Sequence, residues 1–169
     1  MNFNLVKLDT FRSEICLSAF PGRQSSDEFS AKTMTQFFDF LESNKYRALV
    51  SLVELHEFDD YMPLAKFKKN LDHRDFDWHH HPLKDMTAPD EAFMDDFSGT
   101  QSSLLDYLRS GEKIAVHCKG GLGRSGTVAA MLMCNIGFDA VESIEAVRIS
   151  RPGAIETVEQ EMFIQSQSS

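Results

Sequence analysis

The sequence predicts an α/β fold built on a parallel sheet. Two observations carry this. Short apolar runs of strand length alternate with segments of helical periodicity. The run AlaLeuValSerLeuVal at 48–53 is apolar almost throughout, as a strand covered on both faces requires.

Taken in order, residues 3–7 and 14–20 read as the first strands, and Pro21-Gly22 supplies a loop signal after the second. Residues 30–43 read as a helix, because Ala31, Met34, Phe37, Phe38 and Leu41 recur on one stripe. The buried strand spans 47–54. A short basic helix is expected over 63–70, then a strand over 75–81 that Pro82 ends, then a loop over 83–88. Thr87 with Asp90 resembles a capping box with Pro89 in the first turn, so a helix should run from there to Arg109, burying Phe93, Phe97, Leu104, Leu105 and Leu108. Gly111 turns the chain into another buried strand over 113–118. Residues 125–136 are apolar on nearly every side and read as a buried helix that Gly137 stops. Helices over 139–150 and 157–165 close the chain, the second opened by a Thr157/Gln160 capping box, with 165–169 as a flexible polar tail.

At 169 residues the chain is about one domain long, and such a domain buries roughly 70% of its unfolded surface. Hydrophobic residues at 42% and charged residues at 25% exclude a disordered or collagenous chain. The net charge of −9 opposes non-specific attraction to nucleic acid or anionic lipid, so neither is expected as a partner and any anion site must be local. The 3 cysteines, Cys16, Cys118 and Cys134, are too few and scattered for a disulfide framework or zinc cage, which favours a reducing compartment. The N-terminal residues carry no signal-peptide apolar region, and no run approaches the ~18 residues of a membrane span. A cytoplasmic location is expected. Nothing in the sequence specifies an oligomeric state.

The informative stretch runs from His117 to Gly126, HisCysLysGlyGlyLeuGlyArgSerGly, between a buried strand and a buried helix. Backbone N–H groups of Lys119, Gly120, Gly121, Leu122 and Gly123 can converge on a tetrahedral oxyanion, and the following helix adds the positive end of its dipole. Cys118 sits under the same donors, which favours its thiolate and makes it a nucleophile. Arg124 can grip two phosphoryl oxygens bidentately, a geometry Lys cannot supply. The glycines also satisfy GxGxxG, but a dinucleotide fold needs another strand after the helix, whereas only helices follow. No Lys follows the glycines as a nucleotide P-loop requires. A purely structural turn needs neither Cys nor Arg at these positions.

CysX5Arg followed by Ser and preceded by His resembles the signature of the cysteine-dependent protein-tyrosine and dual-specificity phosphatases. Other stretches are similar to the compact kinase-associated-phosphatase-like branch: AlaPheProGly (19–22), TrpHisHisHisProLeuLysAsp (78–85) and ArgProGlyAlaIleGluThr (151–157) with Gln160. The resemblance implies a single phosphatase domain over 1–169, a central, mostly parallel sheet flanked by helices, no metal or other cofactor, and a phosphorylated protein or peptide as substrate.

Expelling an alkoxide or phenoxide from phosphorus requires a proton donor. Asp85 fits, because the family places its general acid in a similar HisProXXAsp loop; Asp90 is explained by helix capping. The family often has Gly after this Asp, whereas Met86 follows here. By the same resemblance Ser125 would help the sulfur leave, or alternatively cap the helix. Gln160 would position the hydrolytic water or serve its capping box. His117 would orient the loop or fill the core. Lys119 would face the rim and favour acidic substrates, or stay solvated. His79, His80 and His81 alternate across a strand, which opposes a shared metal. Cys16 or Cys134 could trap oxidised Cys118 as a disulfide, or each could be a small buried hydrophobe. Arg148 and Arg151 could hold a second phosphate or serve loop packing. The expected activity is hydrolysis of phosphotyrosine, with phosphoserine and phosphothreonine open, through a phosphocysteine. The competing readings are a non-catalytic phosphoryl-binding module, and the same chemistry on a phosphoinositide or RNA 5′-phosphate.

Overall fold

The computed structural model is described for residues 1–167. Five strands form one sheet in the order β1 (Phe3–Leu8), β2 (Ser13–Ser18), β5 (Lys113–His117), β3 (Tyr46–Ser51), β4 (Asp77–His80). The β1 edge is antiparallel to β2, and every other pairing is parallel. The α/β fold with a mostly parallel sheet and flanking helices is as the sequence predicts. The strand that leads into the signature loop, β5, lies at the centre, paired with β2 on one side and β3 on the other.

The helices fall on two faces because alternate strand residues do. Ile15, Leu17, Val50, Ile114 and Val116 pack with α4 (Glu91–Arg109), α5 (Gly123–Asn135) and α6 (Ala140–Ser150). Cys16, Leu49 and Ala115 pack on the other face with α1 (Ala31–Ser43) and with Phe58 and Phe67 of the short helices α2 (Leu55–Phe58) and α3 (Leu64–Lys69). The last helix, α7 (Val158–Ser166), adds Ile164 to the first core. Helix α5 is buried along nearly its whole length, as its all-round apolar sequence requires.

The strands expected over 14–20, 47–54 and 75–81 are shorter, and three further boundaries differ from expectation for identifiable reasons. Helix α4 is capped by Asp90, which accepts from the Phe93 N–H at 2.8 Å, and not by Thr87, whose hydroxyl bonds the Lys84 carbonyl. Helix α5 begins at Gly123, so Ser125 lies inside its first turn and is not its cap. The polar tail is shorter than expected: Gln165 and Ser166 belong to α7, and 168–169 lie outside the described residues. The single turn α2 has no periodicity to announce it. It is set by a capping box between Glu54 and Glu57.

Candidate active site

Cys118 follows the end of β5, 3% exposed, and the loop after it curls back over its sulfur. The Gly121 N–H donates to Cys118 Sγ at 3.2 Å, and Ser125 Oγ lies 3.4 Å away. The Gly121 amide faces the sulfur, and the loop's carbonyls are taken from outside. Lys119 O accepts from the Phe20 N–H and from Arg23 Nη1, Gly120 O from Arg151 Nη2, and Gly121 O from Arg151 Nε. Arg151 is itself buried and braced on Asn2 and Asn4. Gly121 has φ +73°, and a Cβ there would lie 2.4 Å from the Ser18 backbone, so only glycine lets the loop approach β2 this closely. Beyond the loop, the first turn of α5 has no side-chain cap among the described residues, so its N–H groups can serve an anion.

Arg124 is buried, and its Nη1 and Nη2 donate to the two carboxylate oxygens of Glu57 at 2.6 and 2.8 Å. Nη1 also donates to the Leu83 carbonyl, while Nε–H has no acceptor among the described residues. Burial by itself would push the Glu57 carboxyl up, but the hydrogen bonds of Arg124 and the Glu54 N–H, with the guanidinium charge, hold it below its usual value. Burial opposes the Arg124 charge too, and Glu57, with Cys118 and Asp85, more than offsets it. The result is a fixed, ionised guanidinium with its Nε–H uncommitted. Sequence reasoning missed Glu57. The available signal was indirect, since a buried Arg demands a buried counter-charge, but the sequence holds 26 acids.

The loop after β4 arrives over Arg124. Asp85 Oδ1 is 3.2 Å from Arg124 Nη2, with its side chain 57% exposed. Met86 occupies the left-handed region at φ +61°, so the turn keeps the shape a glycine would favour, at some backbone strain. Gln160 Nε2 donates to the Thr87 carbonyl and its Oε1 accepts from the N–H groups of Glu156 and Thr157. The capping box is thus formed, and the same side chain ties α7 to the acid loop beside Gly123.

His117 is fully buried, and burial pushes its imidazole down to about 3, which favours the neutral ring. Its Nε2 meets Ser51 Oγ and its Nδ1 meets the Cys118 carbonyl. Lys119 lies at the rim, paired with Asp60 at 2.8 Å and set over the Tyr61 ring. His80 turns to the Val53 carbonyl, whereas His79 and His81 share the opposite face beside Thr100. Arg148 and Arg151 donate to loop carbonyls, and Arg148 also pairs with Glu161, which is the packing role.

Neither spare cysteine is placed to trap Cys118. Cys16 pairs across the sheet with Ala115 and faces the other core, where burial pushes its thiol up. Cys134 sits near the far end of α5 against Ser143, about 13 Å along the helix from Ser125 at 1.5 Å per residue. A disulfide needs Cα atoms within about 7 Å.

Residues 50–164 match the family model described as "Swiss Army Knife protein, DSP-PTPase phosphatase domain". The mouse "Dual specificity protein phosphatase CDC14B" is 29% identical over 178 residues, covering 99% of this chain and 35% of that protein. The chain spans 13% to 35% of the length of the first curated relatives it matches. Among solved structures, a kinase associated phosphatase with its catalytic site cysteine changed to serine aligns at TM-score 0.80 over 98% of this chain and 93% of that one, a likeness of fold at 24% identity. Tk-PTP in its active form is 29% identical, at TM-score 0.65 over 91% and 90% of the two chains.

Proposed function

Because the chain belongs to the DSP-PTPase phosphatase domain family, we propose that it is a single-domain, metal-independent phosphoprotein phosphatase that hydrolyses phosphotyrosine, and phosphoserine or phosphothreonine where they reach Cys118. The observation that carries this is the uncommitted Nε–H of Arg124, held by Glu57 beside a sulfur already receiving a loop amide. A phosphoryl group would take the loop N–H groups of Lys119 to Gly123 and the Arg124 edge as donors.

In the first step Cys118 Sγ attacks phosphorus, the bond to the leaving oxygen breaks, and Asp85 gives that oxygen its proton. The Arg124 and amide donors stabilise the equatorial oxygens as charge develops on them. In the second step water attacks the phosphocysteine, Asp85 takes its proton, and the sulfur leaves with a hydrogen bond from Ser125. Inorganic phosphate and the starting thiolate result. Gln160 keeps the acid loop in place through Thr87, and its second Nε2 hydrogen serves the attacking water. Lys119 argues for a singly phosphorylated protein substrate over a phosphoinositide or RNA end, because Asp60 already neutralises it.

The test is phosphate release from para-nitrophenyl phosphate and from phosphotyrosine and phosphoserine peptides, by wild type and Cys118→Ser, in EDTA. Turnover that survives EDTA and disappears with the sulfur supports the reading. Retention of phosphopeptide without release of phosphate by fresh, reduced wild type would overturn it in favour of a binding module.

A further inference from the structure

His117 lies next to the nucleophile in sequence, yet its side chain is on the other face of the sheet. Cys118 packs with the core of α4 and α5, whereas the His117 ring packs on Phe20 and Phe67. It therefore acts on the site only through the Cys118 carbonyl, which its Nδ1 meets at 3.2 Å. What fixes that contact lies further from the site. Ser51 is opposite His117 in the parallel register of β3 and β5, and its Oγ meets His117 Nε2. Trp78, on the next strand outward, donates its Nε1–H to the same Oγ at 2.8 Å.

Hydrogen-bond accounting gives the chain one direction. The Ser51 hydroxyl is buried, accepts from Trp78, and has a single proton to place. If it also accepted from His117 Nε2–H, that proton would have no acceptor, and the bare Nδ1 would face the Cys118 carbonyl oxygen, acceptor against acceptor. Both conflicts vanish when Ser51 donates to Nε2 and Nδ1–H donates to the carbonyl. The neutrality of the buried ring agrees, since a single ring proton is then available.

We propose that Trp78 and Ser51 are positioning residues for the nucleophile, forming a one-way relay across β4, β3 and β5 that holds His117 in its Nδ1–H tautomer and so fixes the carbonyl of Cys118. Held this way, the carbonyl turns from the sulfur and the next peptide presents its amide to the cradle. Each donor in the relay polarises the next. The catalytic half of the inference rests on the phosphatase reading; the tautomer does not.

Two measurements test it. Nitrogen-15 NMR of the wild-type imidazoles should show His117 protonated at Nδ1 and bare at Nε2 from pH 5 to 8; a proton on Nε2 overturns the relay whether or not the protein turns over. In the phosphatase assay Trp78→Phe, which keeps an aromatic ring but not the N–H, should lower kcat about fivefold with KM unchanged, the weight of one net hydrogen bond. Ser51→Ala should lower kcat further, about 10-fold or more, Ser51→Thr should restore most of it, and the double variant should match Ser51→Ala alone because Trp78 acts through Ser51. Unchanged kcat in Ser51→Ala, or losses that multiply in the double variant, would refute the relay while leaving the phosphatase reading intact.

Discussion

Replacing Glu57 with Gln removes the charge that holds Arg124. The pair is almost fully buried, with side chains 5% and 1% exposed, and joined by bonds of 2.6 and 2.8 Å. Removing one member of such a pair leaves an uncompensated buried charge and costs ~3–5 kcal/mol. Asp85, 3.2 Å away but half exposed, takes up part of the interaction, which places the expected loss at the lower end. For a domain of this size ~3 kcal/mol corresponds to a fall in Tm of about 6–12 °C. Activity should fall more than stability implies, because the guanidinium is free to swing toward Asp85, and a displacement of ~1 Å can cost ~10²-fold. The pH dependence separates charge from shape. The folded Glu57 carboxyl lies below its usual value, so its contribution is present above the unfolded range near ~4.3 and is lost as pH falls through the lower folded value. Wild type should therefore lose stability in acid more steeply than Glu57→Gln. Thermal unfolding and kcat, each followed from pH 3 to 8, measure all of this; a variant within about 2 °C of wild type and within about twofold in kcat would refute the argument.

Asp85→Ala should lower kcat on a phosphopeptide by ~10²–10⁴ if it transfers the proton, with the fold intact because its side chain is exposed; an unchanged kcat would move the role to Asp90 or elsewhere. Gly121→Ala combines a left-handed backbone with a Cβ 2.4–2.6 Å from Ser18 and Ala19, so urea unfolding should show a loss of roughly 2–5 kcal/mol. Wild-type stability in that variant would contradict the close approach of loop and strand. Arg151→Lys keeps the charge but loses the fork that holds two loop carbonyls, so KM for phosphopeptide should rise about 10-fold, read by steady-state kinetics.

What the sequence made legible follows from how local each signal is. The order of strands and helices, the buried α5 and the two-faced sheet came from apolar periodicity, and the signature loop came from residues within ten positions of one another. The acid loop was legible as far as Asp85 because a strand ending at Pro82 announces it, but its clamp by Gln160 on Thr87 joins residues 73 apart. Separation in sequence likewise hides Glu57 from Arg124, 67 residues apart, and Arg23 and Arg151 from the loop carbonyls they hold, 96 and 31 apart. Each is one charged residue among many, with no repeat or spacing to mark it. The expectation for Thr87 failed for a related reason: Thr87 and Asp90 both offer a capping oxygen, and the choice fell to the turn through Lys84 and Met86. The cradle is thus specified in two parts. The glycines permit the path of the loop, and Arg23 and Arg151, with the Phe20 N–H, hold its peptides by occupying the carbonyls. A chain with the same ten residues but without Arg23 and Arg151 would have the nucleophile and its glycines, but its Gly120 and Gly121 carbonyls would lose the donors that hold them, and the Lys119 carbonyl would keep the Phe20 N–H alone.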